Sequence, residues 1–272
     1  MPLGVSARMS RMAGEAHVAA MEGRWGDLED LIRRQPQVAS EIRDSRLPLH
    51  DAVRQERAPA HILRALIDAN PSGVQALTKY GNLPIHLAAL VKADFDVVDM
   101  LIKHHPKDCL MEVNGFGNTP LHHAVSTSPG LPYRPTGVTH AEYVQRFLQA
   151  CPEAALVENC QGQLPLHLAM ESAEGGQAHL DVVRCLIECY PASIRMPDAD
   201  GRLALHHLLA MNANATVRTL DVVRYLVEVY PESTGNITPI AGSLLRSAAC
   251  CRLDDTMRFY AVRCIAWNLI RW

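Results

Sequence analysis

Thirteen histidines and eight cysteines are the side chains in this chain most suited to chemistry, and metal binding is the first chemistry to test. Six of the histidines, His17, His50, His86, His122, His167 and His206, recur at one slot of a repeated phrase. The doublets His122-His123 and His206-His207 are neighbours in sequence, so on a helix they point in different directions and do not readily share one ion. The cysteines are Cys109, Cys151, Cys160, Cys185, Cys189, Cys250, Cys251 and Cys264, with no CxxC pair among them. Cys185 and Cys189 lie four apart on one helix face, but no second pair at a matching spacing completes a tetrahedral site. Tyr225 and Val229 fill the same slots one unit later, so the two cysteines read as packing residues. Asp198-Ala199-Asp200-Gly201 has the outline of a calcium loop without its downstream bidentate glutamate. There is no Gly-x-Ser-x-Gly, no phosphate-cradling glycine loop and no His-Glu-x-x-His. The residues point to no catalytic centre, no metal and no cofactor.

The histidine slot belongs to a phrase that occurs five times: Leu47-Pro48-Leu49-His50, Leu83-Pro84-Ile85-His86, Thr119-Pro120-Leu121-His122, Leu164-Pro165-Leu166-His167 and Leu203-Ala204-Leu205-His206. A second landmark follows each phrase. Pro71, Pro106, Pro152, Pro191 and Pro231 end apolar helices, and Pro36 does so ahead of the first phrase. Counting back from Pro191, Val182, Val183, Leu186 and Ile187 form pairs four apart, one face of an α-helix. The proline stops the helix, because the residue before it is pushed out of the helical region. Between each proline and the next phrase lies a turn-rich stretch with glycine two places before the phrase, namely Gly81, Gly117, Gly162 and Gly201. The unit is therefore a turn, a short helix, a loop, a second helix and a proline-ended exit. The same ruler finds two worn copies, at Ala16-His17 and at Ser243, giving about seven units with the most degenerate at the ends.

This phrase, the glycine before it and the two-helix unit resemble the ankyrin repeat, whose signature is Thr-Pro-Leu-His-x-Ala. The resemblance implies an all-α solenoid of stacked helix-turn-helix repeats with finger-like turns over residues 14–272. The units fall near 14–43, 44–78, 79–115, 116–159, 160–198, 199–238 and 239–272, behind a flexible segment 1–13. Four phrases open with Leu where the family has Thr, and the phrase histidines are 36, 36, 45 and 39 apart, longer than the family's 33. The extra length is expected mostly between the two helices of a unit. The resemblance also implies that the phrase histidine bonds the turn and ties one unit to the next. Loss of the threonine hydroxyl removes a cap worth about 1 kcal/mol, which the histidine or water must replace.

Composition agrees with a binding array. Nearly half the residues are apolar but only 5% aromatic, which suits helices packed through Leu, Val, Ile and Ala. A net charge of −3 with both signs interspersed gives no overall pull towards nucleic acid or an anionic membrane. No apolar run reaches membrane-spanning length. Residues Met1–Met12 carry Arg8 and Arg11 but no apolar core for a secretory signal, and their acid-free character also fits, as the lesser expectation, a mitochondrial transit peptide. Unpaired cysteine spacing points to a reducing compartment, cytoplasm or nucleus.

The function this implies is a non-catalytic scaffold that binds a protein partner through turn tips and first helices. By slot, the contact residues are Arg46, Asp51, Tyr80, Asn82, Leu87, Phe116, Asn118, His123, Gln161, Gln163, Leu168, Asp200, Arg202 and His207, with Tyr80, Phe116 and Arg202 as anchors. The insertion at 126–141 adds Tyr133 and Arg134. Two other readings go with the same fold. Met257–Trp272, where Phe259, Tyr260, Trp267 and Trp272 alternate with Arg258, Arg263 and Arg271, could dock the chain as an integral subunit or assembly factor. The array could also regulate an enzyme or channel.

Overall fold

The computed structural model describes residues 14–55, 58–105, 109–126, 138–171, 177–211, 221–222, 225–226 and 228–230. The start at 1–13, expected from the sequence to be flexible, the insertion residues Tyr133 and Arg134, the copy expected at Ser243 and the segment Met257–Trp272 lie outside them. The described residues are helical with no strand, an all-α repeat fold. In chain order the helices are α1 (residues 14–22), α2 (Trp25–Arg34), α3 (Pro48–Val53), α4 (Ala60–Ala69), α5 (Pro84–Val91), α6 (Phe95–His104), α7 (Pro120–Val125), α8 (His140–Ala150), α9 (Pro165–Glu171), α10 (Gln177–Cys189) and α11 (Ala204–Met211). Helical residues at 221–222, 225–226 and 228–229 follow. The chain forms two compact units, one running to Ala124 and one from Val125. In the first, α3 packs on α4 and α5, and α4 lies between α2 and α6; in the second, α10 packs on α8 and α9, and α11 on α9.

The apolar pairs counted back from proline are the buried faces of the second helices: Ile62, Leu63, Leu66 and Ile67 on α4, Tyr143, Val144, Phe147 and Leu148 on α8, and Val182, Val183, Leu186 and Ile187 on α10. Each such side chain contributes about 1.5–3 kcal/mol on burial. Alanines after the phrase, Ala52, Ala88, Ala124 and Ala169, are fully buried, so the short first helices pack closely.

Proline does more than the sequence suggests. The residues before it, Gln35, Asn70, Cys151 and Tyr190, have φ from −141° to −154°, outside the helical region as expected. The proline then opens a short 3-10 turn rather than a simple exit: Pro36–Ser40, Pro71–Gln75, Pro152–Leu156 and Pro191–Arg195. Each turn tucks in a small or apolar side chain, as with Val38, Val74, Ala155 and Ile194. Proline suits the first position of such a turn because its missing N–H has no partner to lose there. Length variation between units lies partly in the helices, since α10 has 13 residues where α4 and α6 have 10, while the longest unit gains its length between Val125 and His140.

The phrase histidine makes the same bond whether the phrase opens with leucine or threonine. Its Nδ1 accepts the backbone N–H of the phrase's first residue in all five copies: Leu47 to His50 at 3.0 Å, Leu83 to His86 at 3.2 Å, Thr119 to His122 at 3.1 Å, Leu164 to His167 at 3.0 Å and Leu203 to His206 at 2.7 Å. An accepting Nδ1 leaves the proton on Nε2. In two copies that proton reaches the next turn: His50 donates to the Ala76 carbonyl at 2.9 Å, and His86 shares its N–H between Glu112 and Asn118 at 3.1 Å each. His17, in the worn copy, contacts the Glu41 carbonyl at 3.1 Å through the same nitrogen, which confirms its register. Its Nδ1 departs from the pattern by bonding buried Asp51 at 2.7 Å.

Four turns share one design. Thr78, Asn114, Asn159 and Asp198 each pair with the residue four places on, and a glycine at φ of +68° to +75° closes the loop, the three-residue hairpin with a left-handed glycine. Asn114, Asn159 and Asp198 also accept two backbone N–H groups of their own loop through Oδ1. The first turn lacks that glycine. Arg43 and Arg46 pair across a two-residue connection in which Asp44 and Ser45 both take positive φ, 51° and 60°. Ser45→Gly is expected to relieve that backbone cost and raise stability by about 0.5–1 kcal/mol, read as a higher urea midpoint with unchanged slope.

Candidate functional site

The turn tips of the first unit expose two aromatic rings. Tyr80 and Phe116 occupy the residue before glycine in consecutive fingers and are 53% and 58% exposed. Their rings stack with centroids 6.4 Å apart and an interplanar angle of 28°. The backbone beneath fixes that pairing, since the Gly115 N–H donates to the Tyr80 carbonyl at 2.8 Å. Gly81 has to be glycine twice over: its φ is +73°, and a Cβ there would sit 2.8 Å from the Gly115 nitrogen. Lys79 Nζ lies 4.8 Å from the centre of the Tyr80 ring. Ile42, Leu77 and Val113, each just ahead of its turn, are also exposed; Glu158 and Pro197 hold those positions later.

Beside the tips, a cleft of about 360 Å³ opens between the first two fingers and the first helices. Leu87 and Leu90 of α5 form its apolar part, with Tyr80 and Asn82 from the second finger. Its cationic side comes from Arg46, Arg54 and Lys79, against a single acid, Asp44. Arg46 is held at 3.3 Å from the carboxylate of Asp51, which is itself buried against His17.

The other residues expected at the surface divide by burial. Asp51, Leu87, Gln163 and His207 are buried, so they serve mainly as framework. Asn82, Asn118, His123 and Leu168 are half-buried. Asn114 Nδ2 bridges Asn82 Oδ1 at 2.8 Å and the His123 ring at 3.1 Å, and His123 meets His86 edge-on at 5.9 Å. Burial first, then the charges of His86, His122 and Lys92, hold His123 down at about 3. The corresponding slot of the second unit has the opposite electrostatics. His207 lies between Glu171 Oε1 at 2.8 Å and Asp198 Oδ2 at 2.7 Å. Burial opposes its charge, but the two carboxylates outweigh burial and raise its pKa. Exposed Arg202 bonds Asp198 and Asp200, and Gln161 offers its carbonyl to Ala199 N–H at 3.0 Å. The tips of the second unit are thus polar and engaged with their own fingers, whereas those of the first are aromatic and open.

Sequence slots did not flag Arg54, Leu90 and Lys79. Arg54 and Leu90 stand four residues after a phrase histidine, one helical turn along the same face, and that spacing would have found them. Lys92 was also missed. Its buried ammonium donates to the carbonyls of His123 and Ala124 at 2.6 and 2.7 Å, satisfying the C-terminal end of α7. Among the described residues, no three His, Cys, Asp or Glu side chains converge as a metal ion would need, and no helix is long and apolar enough to cross a membrane.

Residues 49–133 match the family model of ankyrin repeats in three copies. The crystal structure of an ankyrin repeat domain from Acinetobacter baumannii AYE is similar over 79% of this chain and 97% of its own, with a TM-score of 0.57 and 20% sequence identity. No curated protein matches the chain in sequence. Residues 49–133 thus match ankyrin repeats, and the chain shares the fold of an ankyrin repeat domain, in agreement with the repeated phrase and the finger geometry.

Proposed function

We infer that the chain is a non-catalytic scaffold that binds a protein partner, the general role of ankyrin repeats, and that the first unit carries the contact. The observation supporting this most directly is the exposed Tyr80–Phe116 stack beside an open cleft. Aromatic side chains presented on a rigid backbone bury large area at little entropic cost, and a few such anchors dominate most interfaces. In the second unit, Arg202 is already paired with Asp198 and Asp200, which weakens it as an anchor. A reducing compartment, cytoplasm or nucleus, goes with this reading.

Affinity purification from the native source, followed by mass spectrometry, tests it. Tyr80→Ala/Phe116→Ala leaves the fold intact, because both rings are at the surface, and is expected to reduce recovery of the specific partner by about tenfold or more. An unchanged partner list would contradict the reading.

A further inference from the structure

We propose that the cleft of the first unit takes an acidic segment of the partner, with an aliphatic or aromatic residue flanked by Asp or Glu. This deepens the scaffold reading and rests on it. The chain as a whole is negative, at −3, yet this cleft gathers Arg46, Arg54 and Lys79 against Asp44 in its lining and Asp51 buried behind Arg46. The three cations come from separate stretches: the first finger, the end of α3 and the second finger. Their convergence is therefore a product of the stacking. Arg46 is pre-positioned, since one edge of its guanidinium is held by buried Asp51, and an arginine fork offers further donors for a carboxylate. Leu87 and Leu90 with the Tyr80 ring provide an apolar surface between the cations. About 360 Å³ has room for one large apolar side chain together with the carboxylate beside it. A basic peptide would set like charges against the three cations, and a purely apolar one would add no counter-charge for Arg54 and Lys79.

The test uses the full chain and three pools of short fluorescein-labelled peptides. In the first, Leu or Phe is flanked by Glu and Asp; in the second, Lys and Arg replace the acids; in the third, Gly and Ser replace Leu and Phe. The acidic-apolar pool is expected to bind at least about tenfold more tightly than the other two, more weakly as salt is raised. Arg54→Glu/Lys79→Glu, two exposed positions, should lose about tenfold or more of that affinity without a change in melting temperature; Arg54→Gln/Lys79→Gln serves if the charge reversal fails to fold. Equal binding of the acidic and basic pools, or undiminished binding by the folded variant, overturns the proposal. A phosphoserine pool that binds while the carboxylate pool does not would also overturn it. If partner capture still depends on Tyr80 and Phe116 in that case, the scaffold reading survives; if neither peptide nor partner binds, both fail.

Discussion

Moving the protein from about pH 7.5 to about pH 5 is expected to lower its stability by several kcal/mol. Burial, opposed by backbone hydrogen bonds from its Nε2, holds His86 down at about 4. Burial likewise holds His167 at about 4 and His123 at about 3. In the unfolded chain these imidazoles protonate near 6.5. The folded state therefore binds fewer protons: the contribution is fully present above pH 6.5 and is lost as pH falls towards the folded values. At pH 5 each such group accounts for about 2 kcal/mol. His86 and His123 belong to the first unit, which stands to lose about 4 kcal/mol, a large part of an ordinary domain's stability. The cause is visible in the geometry, since a proton on His86 Nδ1 would face the Leu83 N–H that this nitrogen must accept. His207 acts in the opposite sense. Its pKa is raised, so its contribution is present below 6.5 and lost as pH rises through the folded value. Urea titrations at the two pH values check the balance. His123→Leu, which copies the residue at the equivalent positions 87 and 168, should shrink the acid loss by about 2 kcal/mol. Equal stability at both pH values would contradict the account.

Gly162→Ala is expected to destabilise the protein by about 2–4 kcal/mol. Two costs combine. The left-handed conformation, φ +68°, charges any L side chain about 1–2 kcal/mol. An added Cβ would also lie 2.6 Å from the Ala199 nitrogen, a separation that atoms do not tolerate, so the fingers must part and strain the Ala199-to-Gln161 hydrogen bond. Gly23→Ala separates the two terms. Gly23 has nearly the same φ, +69°, but its Cβ would meet only Trp25, at 3.7 Å, an ordinary contact. It should cost only about 1–2 kcal/mol. Equal losses for the two variants would show that finger-to-finger approach adds nothing.

Architecture was legible because it obeys local rules. The four-apart apolar pairs became the buried faces of α4, α8 and α10, and the residue before each proline left the helical region as sterics require. The histidine's double role followed from the resemblance; what stands in for the threonine hydroxyl did not, and in the Leu copies the first-turn N–H of His50 and His86 turns to the Leu47 and Leu83 carbonyls while Nδ1 accepts the phrase's own first N–H. Three-dimensional proximity was not legible. Asp51 and His207 occupy surface slots by count, yet each is buried in a polar cluster that includes a residue more than thirty places away, His17 for one and Glu171 for the other. Arg54 and Lys79 read as ordinary solvated charges until stacking sets them around one cleft. The 3-10 turn after Pro36, Pro71, Pro152 and Pro191 escaped notice because two adjacent buried residues in five leave no periodicity to detect.

Amide hydrogen exchange, read by mass spectrometry on the full chain with and without the partner recovered from the native source, tests the central claim most directly. The account predicts protection on binding at the fingers around Tyr80 and Phe116 and along the start of α5. Protection confined to the second unit or to Met257–Trp272, with these fingers unchanged, would contradict it.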